Sequence, residues 1–282
     1  MGLTVIQVDA FTNQPFSGNP AAVCVTEQPL ADELMQAIAA EMNLSETAFL
    51  YPIEGGYSLR WFTPVVEVDL CGHATLASAH VLWSEGHLPA GETAKFSTKS
   101  GWLSAQKITK ESTKGNAEKT EDWIQMDFPA QPVEASQYVP PQLIKALCCG
   151  GNIRAVAKNE VNYLVEIQSE SALKALAPDF VATSKLPVQG IIATAPADSD
   201  DYDFVSRYFC PAVGVDEDPV TGSAHASLGP YWQAKLGKSS MRARQISDRA
   251  GILQVSCGEN DRVSISGQAI TVLKGEFQPK SA

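Results

Sequence analysis

The chain has 282 residues, 44% of them hydrophobic and 19% charged, with a formal net charge of −11. That balance suits a soluble globular protein with enough apolar material for one large core or two smaller ones. The acidic excess argues against nucleic acid or an anionic membrane as partner, since both reward basic surface. It leaves a small anionic metabolite open, because a local pocket can be positive on an acidic protein.

No apolar run approaches the roughly 20 residues of a membrane helix. Met1-Gly2-Leu3-Thr4-Val5 has no basic region and no signal core, and reads as the approach to a first strand. The six cysteines (24, 71, 148, 149, 210, 257) form no Cys-x-x-Cys pair and no dense framework. Reduced thiols and a cytoplasmic location are therefore expected.

In chain order, Val5–Val8 and Ala21–Val25 read as strands around a loop over 13–20. Leu34, Ile38 and Met42 recur every four residues, which predicts an amphipathic helix over 31–42. Thr47–Tyr51 and Tyr57–Phe62 read as a strand pair turned by Gly55-Gly56. Residues 73–85 read as a helix ended by Gly86, and Phe96 and Trp102-Leu103 sit in further strands. The polar stretch Lys110–Asp122 is either a crossing between halves or a mobile hairpin tip. The chain restarts with a strand over 123–128, a helix near 140–148, and strands around 153–157, 162–167 and 190–194. Tyr202–Val205 leads into a helix from Ser223 to Leu236, which Gly229-Pro230 should kink or split. Strands near 252–256, 262–266 and 269–277 close the chain. Many short strands with few helices make this α+β. No Rossmann or P-loop glycine pattern, no Gly-x-Ser-x-Gly elbow and no metal-ligand spacing is present.

Two stretches repeat each other. Phe62, Pro64, Val66, Val68 and Asp69 recur as Phe209, Pro211, Val213, Val215 and Asp216, each 147 residues further on. After a three-residue insertion, Gly72 and Ala74 recur as Gly222 and Ala224. Seven identities in one ordered block point to a duplicated unit, with the working site expected where the halves meet. Gly72-His73 and Gly222-Ser223 each open a predicted helix. The first turn of a helix leaves backbone N–H groups without partners at a positive dipole end, so two such turns facing each other would hold a carboxylate. The expected division is 1–115 and 116–282, with the last strand free to return to the first half.

Four separated blocks carry a family resemblance: Ser17-Gly18-Asn19-Pro20-Ala21-Ala22-Val23, Asn43-Leu44-Ser45-Glu46-Thr47-Ala48-Phe49, Cys71-Gly72-His73-Ala74-Thr75, and Asp218-Pro219-Val220-Thr221-Gly222-Ser223-Ala224. Together they resemble the phenazine-biosynthesis PhzF-like family of the diaminopimelate epimerase-like fold. The resemblance implies two pseudo-symmetric α+β halves, each a mostly antiparallel barrel-like sheet around a central helix. It implies a homodimer and isomerase activity without cofactor or metal. Glu46 matches the family's proton-transferring carboxylate, and His73 and Asp218 match further catalytic residues. Gly72, Gly222, Ser223, Asn19 and Cys71 are matched to substrate contacts.

In related epimerases two cysteines face the substrate carbon. Cys71 falls at the first, and Asp218 stands in place of the second. That departure favours one-base shuttling by Glu46 over a two-thiol racemase. A carboxyl buried between halves is expected to have a raised pKa, suited to both taking and giving a proton. Asp218 would orient His73 or hold a substrate amine. From the residues alone, Glu46 also fits a surface strand start, His73 a helix-start hydrogen bonder, and Cys71 a buried small residue. His80 is expected to pack, and His225 to lie near the site. The alternatives are an amino-acid racemase using Cys71 and a catalytically silent binding protein.

Overall fold

The computed structural model describes residues 2–111, 120–259 and 261–278. The chain divides into two compact units, Met1–Asp127 with Ser266–Ala282, and Phe128–Ile265. Of the polar stretch, residues 112–119 lie outside the described residues.

The first unit opens with β1 (Leu3–Ala10) and β2 (Asn19–Val25), an antiparallel pair with Ile6 opposite Val23. Helix α1 (Asp32–Met42) buries Met35, Ile38 and Ala39, the face that its four-residue spacing defines. It stops at Asn43, whose left-handed backbone (φ 50°) returns its N–H to Ala39 O at 3.1 Å. Next come β3 (Glu46–Ile53), parallel to β2 with Glu46 opposite Ala21, and β4 (Gly56–Phe62), antiparallel to β3 with Thr47 opposite Phe62. The short β5 (Glu67–Val68) pairs back on β4.

Helix α2 (Gly72–Ser84) is buried on almost every side, with Leu76, Ala77, Ala79, Val81 and Leu82 at 0% exposure. It packs against β1, β2 and β3 and forms the centre of the unit. Two of its buried hydroxyls bond back along the helix. Thr75 Oγ1 donates to Cys71 O at 2.5 Å and Ser78 Oγ to Ala74 O at 2.6 Å, so hydroxyls enter the core without loss of hydrogen bonds. β6 (Ala94–Thr98), β7 (Gly101–Glu111) and β8 (Thr120–Pro129) follow as antiparallel neighbours. The division expected after residue 115 falls after Asp127. The β7–β8 ladder runs from Glu111 opposite Thr120 to Ala105 opposite Met126, which keeps residues 120–127 with β7.

The second unit repeats the plan. After β9 (Glu134–Ala135) and α3 (Pro141–Leu147) come β10 (Ile153–Lys158) and β11 (Asn162–Ile167), an antiparallel pair. Two short helices, α4 (Glu170–Lys174) and α5 (Phe180–Thr183), precede β12 (Gly190–Pro196), which is parallel to β11. β13 (Phe204–Cys210) is antiparallel to β12, and β14 (Val215–Asp218) folds back on it. The central helix here is α6 (Gly222–Leu236), packed against β15 (Ser240–Gln245) and β16 (Gly251–Cys257). β17 (Arg262–Gly267) leads to β18 (Ala269–Phe277), which pairs antiparallel with β1 along its length.

Pro230 does not split α6, contrary to the sequence expectation. Proline lacks the N–H that would bond the carbonyl four residues back. That carbonyl, Ala226 O, accepts instead from the backbone N–H of Gln131 at 3.0 Å. Gly229 leaves the room needed beside it, since a Cβ there would lie 2.9 Å from Val255 Cγ1. Among the described residues, no helix is long and apolar enough to cross a membrane.

Candidate active site

In the first unit, three of the expected site residues meet at the start of α2. Cys71 is extended (φ −144°, ψ 113°) and the chain turns into helix at Gly72. Position alone denies the first N–H groups of α2 an acceptor within the helix, and the dipole adds positive potential there. Glu46 opens the neighbouring β3. Its Oε2 lies 3.3 Å from His73 Nε2, and its side chain is 18% exposed. On the other edge of the ring, Cys71 Sγ lies 3.5 Å from His73 Nδ1. His73 is buried, and burial pushes its imidazole down to about 3, so the ring is neutral at pH 7. Among the described residues, no hydrogen bond reaches its Nε2.

Asn19 is fully buried at the start of β2, two residues ahead of Ala21, the strand partner of Glu46. The loop before it is tied down by Asp9, whose buried carboxylate accepts the Phe16 N–H at 2.7 Å. Gly18 (φ 66°) is required there, since a Cβ would lie 2.2 Å from Ala10 O.

Ligand atoms of Glu46, Cys71 and His73 all lie within 4.8 Å of one another, a donor set that a zinc-type ion accepts. The thiol lies nearest Nδ1 of His73 and the carboxylate nearest Nε2.

The second unit places Asp218, Gly222 and Ser223 around the start of α6. Sequence reasoning missed the side chains that hold Asp218. The Thr221 hydroxyl donates to the Asp218 carboxylate. Buried Gln245 accepts the Thr221 N–H at 2.9 Å and donates to Asp218 O at 2.7 Å. A glutamine in a strand carries no local signal for this, because its partners lie more than twenty residues away. His225 lies under the first turn, fully buried and stacked on Phe204 with ring centroids 6.0 Å apart. Its Nδ1–H donates to Thr221 O at 2.7 Å, and burial pushes its pKa down to about 4.

Strand register corrects the internal alignment. Trp61 faces Val68 in the first unit, and Tyr208 faces Asp218 in the second. The three extra residues therefore enter before Glu217, not after Asp216. They lie in the 3-10 turn Pro211–Val213 and the irregular start of β14. Asp218 corresponds to Val68, and the counterpart of Cys71 is Thr221, the residue before each helix; the counterpart of His73 is Ser223. Glu46 corresponds to Gly190, since their next residues face Phe62 and Phe209. A Cβ on Gly190 would lie 2.5 Å from the Tyr208 hydroxyl, which donates to Asn162 Oδ1 at 2.9 Å.

The corrected register exposes a second duplication. Arg60 grips Glu67 through Nε–Oε1 (2.7 Å) and Nη2–Oε2 (2.8 Å), and Arg207 grips Glu217 through the same atoms at 2.8 Å each. Each guanidinium also lies over a phenyl ring two residues on, Phe62 at 5.1 Å and Phe209 at 4.8 Å. Both clamps hold the strand that feeds a central helix.

Two α+β units are built around buried helices, and the first carries a carboxylate beside a neutral imidazole at its helix start. The chain belongs to the phenazine biosynthesis-like (PhzC-PhzF) family, whose pattern it matches over residues 8–275. It is 51% identical to an uncharacterized isomerase of Halalkalibacterium halodurans over 98% of this chain and 99% of that one. It is 47% identical to an uncharacterized isomerase of Pseudomonas aeruginosa, with 98% of each covered. The crystal structure of a PhzF-family phenazine biosynthesis protein from Enterococcus faecalis superimposes with a TM-score of 0.88 at 40% identity, covering 99% of this chain and 100% of that chain.

Proposed function

We propose that the protein moves a proton on a small carboxylated metabolite, with Glu46 as the only base and no bound cofactor. The observation that carries this reading is the 3.3 Å approach of the Glu46 carboxylate to the buried, neutral His73 at the first turn of α2. The helix start at Gly72 would take the substrate carboxylate on its backbone N–H groups. Glu46 would remove a proton from an adjacent carbon and return it to another carbon or another face. His73, neutral and with no bond at Nε2, would stabilise charge as it develops on the substrate. In the second unit, the matching helix start at Gly222 and Ser223 would take an anionic group in the same way, with Asp218 beside it. The second unit supports the one-base reading: it offers Gly190, Thr221 and Ser223 where the first offers Glu46, Cys71 and His73. The resemblance makes a homodimer the expected assembly, which light scattering reads directly.

The test is deuterium wash-in from D2O into a panel of small amino, hydroxy and unsaturated acids. Wild type should label at least one of them, and Glu46→Gln should abolish labelling while calorimetry still detects binding of that acid. Full labelling by Glu46→Gln removes Glu46 from the chemistry. A second reading, racemisation through the Cys71 thiolate, is favoured by the sulfur's contact with an imidazole nitrogen. Alkylation of Cys71 separates them by retained wash-in after correction for blocked binding, with Cys71→Ala as the smaller substitute.

A further inference from the structure

His73 has a different neighbour on each ring nitrogen: Cys71 Sγ at 3.5 Å from Nδ1 and Glu46 Oε2 at 3.3 Å from Nε2. A neutral imidazole carries one N–H, and its position decides what the ring can do. With the proton on Nδ1, Nε2 is an acceptor and can draw a proton off the Glu46 carboxylic acid. With the proton on Nε2, the ring is a donor on the side of the base.

The thiol hangs from an anchored backbone. Cys71 precedes the helix in extended conformation, and its carbonyl accepts both the N–H and the hydroxyl of Thr75. Cys71 is itself buried, at 7% exposure, against the ring. A thiol next to a bare imidazole nitrogen acts as the donor. His225 provides the contrast within the same chain. Its Nδ1 faces the carbonyl of Thr221, which only accepts, so its proton sits on Nδ1.

We propose that Cys71 is a positioning residue, whose S–H donates to Nδ1 of His73 and fixes the imidazole proton on Nε2. His73 then presents a neutral hydrogen-bond donor to the substrate, beside Glu46. The consequence, which rests on Glu46 being the base, concerns where the abstracted proton stays. When a substrate C–H bond breaks, its proton goes to a Glu46 oxygen. Nε2 already holds a hydrogen, so the proton cannot pass on to the ring. It remains on Glu46, with the negative charge carried by the substrate, until its return restores both.

The test uses the ligand-free protein. Infrared spectra in the S–H stretching region should contain a hydrogen-bond-shifted band from Cys71, beside those of Cys148 and Cys149, whose thiols donate to backbone carbonyls. That band should be lost in Cys71→Ala and in Cys71→Ser. Long-range proton–nitrogen correlation on histidine-labelled protein should give the Nε2–H form for His73, identified by its loss in His73→Asn, and the Nδ1–H form for His225. Cys71→Ser, which keeps a donor, should preserve the Nε2–H form and also covers the case in which the alanine variant does not fold. An Nδ1–H form of His73 in wild type, or no S–H band lost on replacing Cys71, overturns the proposal. Failure of wild type to label any acid in D2O overturns the role of Glu46 alone, because neither spectrum involves substrate.

Discussion

His73 and His225 are the buried imidazoles at the starts of the two central helices, and both are held neutral. Burial lowers the first to about 3 and the second to about 4, against 6.5 for a free histidine. The sign of the linkage follows. Between pH 6.5 and about 4 the unfolded chain takes up a proton at each site and the folded chain does not, so stability is full above 6.5 and falls as the solution is acidified. Each histidine contributes a slope of about 1.4 kcal/mol per pH unit within that window. Urea midpoints at pH 8, 6 and 5 should therefore fall steadily, and His225→Gln should remove about half of the slope between 6 and 5. An unchanged slope in that variant would mean that His225 is protonated in the folded state. Glu67 acts lower down: its bond to Arg60 holds its carboxyl at about 2, so the stabilisation it gives is present above the ordinary carboxylate range and lost as pH falls toward 2. These residues also mark what the sequence could tell. Gly72-His73 and Gly222-Ser223 were legible as helix starts from the glycine and the small residues after it. The burial of His225 was not, because nothing local says which face of a helix buried all round meets Phe204.

At the scale of elements, the duplicated Arg–Glu clamps set the approach to each helix. Arg207 is 13% exposed and Glu217 18%, and Arg207 also caps the carbonyls of Leu173, Lys174 and Leu176 beyond α4. Removing one partner strands the other with little water to receive it, which costs about 3 kcal/mol. Arg207→Met should lower stability by about that amount in urea unfolding. Adding Glu217→Leu should restore part of it, since the lone carboxylate is gone. A double variant that is worse by the full sum of the single effects would show that the pair does not act as a unit. The principal strands and helices were legible from hydrophobic spacing and glycine punctuation. Those missed were short or polar. α4 and α5 have five and four residues and rely on Ser169 and Asp179 caps that lie inside a polar loop composition. β15, Ser-Met-Arg-Ala-Arg-Gln, alternates correctly but carries two arginines on its partly exposed face. α6 was legible in extent, but its continuity through Pro230 depends on a carbonyl acceptor met by Gln131, a residue about a hundred positions away.

At the scale of the whole molecule, the repeat was legible from seven identities, but its alignment was not. Val68 and Asp69 match Val215 and Asp216 by residue type, and only the strand register shows that Val68 stands opposite Trp61 as Asp218 stands opposite Tyr208. The corrected alignment has a chemical consequence. Two units of common plan have not kept common chemistry: the position of the Glu46 carboxyl in one is filled by the Tyr208 ring over Gly190 in the other. In a site with two bases, one keeps the single proton it removes while the other delivers a different, solvent-derived proton to the opposite face of the carbon. A single carboxyl that cannot hand its proton to His73 should return part of it to the same molecule. A substrate deuterated at the reacting carbon and run in ordinary water to low conversion should therefore yield product that keeps some of the label. Complete loss of label from the first turnover would mean that a second proton carrier acts on the substrate beside Glu46.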